Sequence, residues 1–133
     1  MSERELHPVL SPERRHALVR EGVDLFHAGA FFAAHEAWEE VWRSTTPEPR
    51  DLFQGLVQLA AAFHHLQAHQ RPDVALRVLG KARRRLERVP ADAERLDVVG
   101  LLRQLEAWEG WLGRPEDEPP PTPRLAWVDA AGG

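Results

Sequence analysis

His35, Glu36 and Glu39 are the residues best suited to chemistry here, within the run Phe31-Phe32-Ala33-Ala34-His35-Glu36-Ala37-Trp38-Glu39-Glu40-Val41-Trp42-Arg43. At helical spacing Phe31, His35, Trp38 and Trp42 fall on one face, with Ala34 and Val41 at its edges, so an imidazole stands within an apolar stripe. Glu39 follows His35 by one turn and can reach it, whereas Glu36 projects away from the centre of the stripe. Burying such a pair costs free energy unless its hydrogen bonds are met, so the pattern calls for a partner, a ligand or a metal. Further on, Gln54, Gln58, Ala61 and His65 share a second stripe, and His64 lies about a quarter-turn round from it. An antiparallel hairpin of the two segments would bring two glutamines, two histidines and a carboxylate together.

Three chemistries fit that set. Imidazole and carboxylate suit a divalent metal such as zinc, iron or manganese. His35, Glu39 and His65 (or His64) would be its ligands, and Glu36 a base for hydrolase-like catalysis. The spacing is incomplete for this: His35-Glu36-Ala37-Trp38-Glu39 follows the zinc-protease pattern only until Glu39, which stands where a second histidine belongs. There is also no paired Glu-x-x-His set. A small-molecule pocket walled by Trp38 and Trp42 is the second option. The third, and the one the residues favour, is a core network in which His35 bonds Glu39 or Gln58 and fixes helix register.

Other routes to catalysis are poorly served. With no cysteine there is no thiol nucleophile and no disulfide, and the serines lack the glycines of a nucleophile elbow. The run Lys81-Ala82-Arg83-Arg84-Arg85-Leu86-Glu87-Arg88 could meet an anionic partner, but Ala82 and Leu86 interrupt it and a solvated helix face is the simpler reading. Net charge is −4 and argues against nucleic acid as the main partner. His7, His16, His27 and His69 read as surface residues without partners. The first residues lack the apolar run of a signal peptide and no segment reads as membrane-spanning, so a cytoplasmic protein is expected.

The elements that must position these residues are helical. In 133 residues apolar positions recur at threes and fours and strand signals are nearly absent, so an all-α bundle of about five helices is expected. The first opens at Ser11-Pro12-Glu13 and stops at Gly29. The second spans about Ala30 to Arg43 and is followed by a proline-containing turn, Ser44 to Pro49. The third runs from Arg50 to His69 and is the most apolar, hence central. The fourth runs from Pro72 to Val89, and the fifth from a cap at Asp97 to Gly113. The expected division is an arm at 1–10, a bundle domain at 11–113 and a Pro-rich extended tail at 114–133, in which Leu125, Trp127 and Val128 could dock on the bundle. The expected function is a binding or interaction module that self-associates, with a metal-dependent, hydrolase-like enzyme as the alternative.

Phe32 to Arg43, followed by Phe53-Gln54-Gly55-Leu56-Val57-Gln58-Leu59-Ala60-Ala61-Ala62-Phe63-His64, resembles the bacterial and archaeal domain-of-unknown-function 309 family. The resemblance covers about Val23 to Leu105. It implies a compact helical bundle with buried polar contacts, no assigned activity, and candidate site positions His35, Glu36, Glu39, Trp42, Gln54, Gln58 and His64.

Overall fold

Ser11 starts the first helix: in the computed structural model its Oγ accepts a hydrogen bond from the Arg14 amide at 3.0 Å, ahead of α1 at Pro12–His27. The structure describes residues 10–44, 50–116 and 118–128, so His7, the 1–10 arm except its last residue, and most of the Ser44–Pro49 turn lie outside the described residues. At the other end Gly29 takes φ +81°, its amide bonds Phe26 O, and the Ala30 amide bonds Leu25 O. That is a left-handed helix stop in which glycine avoids the Cβ penalty, and it turns the chain directly into α2.

The remaining helices are α2 (Phe31–Ser44), α3 (Arg50–His69), α4 (Pro72–Leu86) and α5 (Val98–Gly113). α4 ends three residues before the expected Val89, because Val89 precedes Pro90 and the residue before a proline is pushed out of the helical region. Asp97 caps α5 as expected, accepting from the Gly100 amide at 2.9 Å. Between them, Ala93–Arg95 forms a short 3-10 turn in which Glu94 (φ 50°) and Arg95 (φ 64°) are both left-handed.

α3 packs against both α2 and α4, with α1 on α2 and α5 on α4. It buries Leu52, Phe53, Leu56, Leu59, Ala60 and Phe63, as its apolar circumference requires. Gly55 lets α4 approach: a Cβ there would lie 2.9 Å from the Leu86 side chain. The rings of Phe26, Phe31, Phe63 and Trp108 form an edge-to-face series, with centroids 4.9 Å apart for Phe26–Phe31 and 5.0 Å for Phe63–Trp108.

After α5 the chain runs extended along the bundle as a strap. Trp108 Nε1 donates to Pro121 O at 2.9 Å, and Gln104 bonds both the amide and the carbonyl of Arg124. Leu125 is buried, and Trp127 forms an isolated antiparallel bridge with Leu96. His27, expected to be a partnerless surface residue, accepts the Leu125 amide at Nε2 (3.0 Å). His16, of which the same was expected, stacks obliquely against Trp127 with centroids 5.5 Å apart.

Candidate functional site

α2 turns its alanines inward. Ala34, Ala37, Trp38 and Val41 are buried, so the centre of the buried face lies to one side of His35 and Trp42. Small side chains let the helix come close to its neighbours, and the larger residues of the stripe are left at its border. His35 is therefore half-buried, its side chain 24% exposed, and not enclosed as the stripe suggested. Among the described residues no polar or charged residue is fully buried, and the core network expected around His35 is a half-buried seam.

Along this seam His35 Nε2 stands 3.8 Å from Glu39 Oε2, within ion-pair range but too long for a hydrogen bond. Glu39, 28% exposed, is held more closely by Arg43 at 3.0 Å. Glu36 is exposed on the far side of the helix. Trp38 belongs to the core: it is fully buried, and its Nε1 donates to Val19 O at 3.1 Å. It walls no pocket. Trp42 is half-buried, with the Arg50 guanidinium 5.2 Å above its ring.

From α3, Gln54 and Gln58 are half-buried, as are His64 and His65. His64 reaches toward α2, its ring 5.2 Å from Phe32; His65 contacts His64 and His69. Partial burial, then the charges of His69, His65 and His35, push the His64 pKa below its ordinary value. Among the described residues no group of three or more histidines, aspartates or glutamates stands where it could hold a metal ion, so His35, Glu39 and His65 are not assembled as a ligand set. The seam instead holds three buried polar atoms with no hydrogen-bond partner: His35 Nδ1, Trp42 Nε1 and Gln58 Oε1.

Two residues of this region escaped the sequence reading. Phe32 is 53% exposed and lies nearly parallel to the His35 ring at 5.8 Å. His69, expected to have no partner, packs edge-on to His64 at 5.3 Å. The available signal was a large apolar residue off the buried face, next to an imidazole. The basic run on α4 is partly neutralised: Arg83 pairs with Glu87 and Glu109, and Arg85 with Asp51 at 3.0 Å. No helix among the described residues is long and apolar enough to cross a membrane.

These features define a small all-α bundle with a polar seam between its second and third helices. Residues 19–78 match the model of the family described as Domain of unknown function (DUF309). That stretch holds both motifs of the seam and stops within α4, short of the Leu105 limit that the motifs suggested. Comparison with curated proteins and with solved structures returns no match.

Proposed function

We propose that this chain is a binding module, and that the α2–α3 seam takes a small polar molecule carrying both a hydrogen-bond donor and an acceptor. The observation that supports it is the trio of unpartnered buried atoms, since folded proteins rarely leave such groups unsatisfied. Their chemistry is complementary. The Trp42 indole offers a donor, the Gln58 carbonyl an acceptor, and His35 Nδ1 serves as either according to tautomer. A primary carboxamide meets that description. With no cysteine to oxidise, a reducing cytoplasm is the proposed setting.

Gln58→Leu is the informative variant. An acceptor kept for binding destabilises the free protein, so its removal should raise unfolding stability by about 1 kcal/mol. Acetamide, titrated into isotope-labelled protein, should shift the Trp42 indole and His35 resonances in the wild type and leave them unmoved in the variant. A flat titration together with a destabilised Gln58→Leu would overturn the reading.

A further inference from the structure

Sharing no residue with the seam, a cavity of about 200 Å³ lies where the end of the strap meets α1 and the turn before α5, lined by His16, Arg20, Arg95, Trp127 and Val128. Among the described residues its lining contains two arginines, a histidine and no acidic residue, in a chain whose net charge is −4. The Arg20 guanidinium sits 5.2 Å above the Trp127 ring, which orients it. Glu94, the acid adjoining Arg95 in sequence, is engaged by Arg15 at 3.4 Å. Neither Arg20 nor Arg95 has an ion-pair partner among the described residues.

The backbone under Arg95 is held in place by the strap. Glu94 and Arg95 are consecutive non-glycine residues at positive φ, a costly conformation that persists only where surrounding contacts enforce it. The Val128 amide bonds Arg95 O at 2.6 Å, and Leu96 bridges Trp127, so the element that closes the cavity also sets the direction of Arg95. Strain of this kind clusters at ligand clamps.

We infer that this cavity binds a small oxyanion, a carboxylate or phosphate monoester, through the guanidiniums of Arg20 and Arg95. The planar fork of arginine matches both anions in paired hydrogen bonds. The volume falls below the roughly 300–1,000 Å³ of pockets for drug-sized ligands and suits a small anion. The site is separate from the α2–α3 seam and does not depend on the function proposed there.

Calorimetric titration of the full chain at low ionic strength, with benzoate in one arm and inorganic phosphate in the other, tests this. Saturable binding is expected in at least one arm, and the stronger arm identifies the anion. Arg20→Lys keeps the charge but removes the fork, and should weaken binding about tenfold with an unchanged circular dichroism spectrum; Arg95→Gln should do the same. Arg84→Gln, on the exposed face of α4, should leave the affinity intact. Absence of saturable binding in both arms overturns the inference. So does equal weakening by Arg84→Gln, which would mark a diffuse charge effect, or full affinity in Arg20→Lys.

Discussion

Gly22 owes its identity to Trp38. The indole lies so close over α1 that a Cβ on Gly22 would overlap Nε1 and come within 2.6 Å of Cδ1, while the same Nε1 bonds Val19 O. Glycine to alanine inside a helix ordinarily stabilises. Here the sign should reverse: Gly22→Ala should cost about 1–3 kcal/mol by displacing the indole, measured by urea unfolding. A gain in stability would mean that Trp38 has room to move. At this scale the sequence was legible for large apolar residues, since Trp38 read as part of the apolar stripe and is buried. It misled for His35. A stripe drawn through bulky residues gave alanines too little weight, and Ala34 and Ala37 are what turn the helix.

Helices and their caps could be read from local chemistry because their signals lie within a few residues: Ser11 before proline, Gly29 after α1, Asp97 before α5. The strap was half legible. Its prolines foretold extended chain, but its attachments join backbone to side chains far along the sequence and leave no periodic trace. The His27 contact is the clearest case, because the Leu125 amide can be accepted only by a neutral imidazole. Partial burial, and then Arg124, lower the His27 pKa below 6.5, against a smaller opposing effect of Asp24. The unfolded chain therefore binds the proton more readily than the folded one. The stability this contact contributes is fully present above pH 6.5 and is lost as pH falls through the lowered folded-state value. Hydrogen-exchange protection of the Leu125 amide should fall on acidification through that window. His27→Leu should flatten the response, and a wild-type profile without pH dependence would show that the imidazole does not hold the strap.

For the whole molecule, the family match at 19–78 spans most of α1, all of α2 and α3 and the first part of α4, while α5 and the strap lie beyond it. The proposed division at residue 113 can be tested by ending the chain there. Leu125 is buried by the strap, and one such leucine contributes about 1.5–3 kcal/mol. Hydrogen bonds and ordering entropy along the strap act in opposite directions. A chain ending at Gly113 should remain helical and lose about that much stability in thermal unfolding. Complete loss of helicity would make the strap part of the domain core.

The strap also fixes an order of events during synthesis. Every helix leaves the ribosome before residues 118–128 do, so the nascent bundle waits with Leu96 and the Trp108 indole uncovered. Pausing of translation after α5 would prolong that sticky interval, and chaperones would meet the chain there.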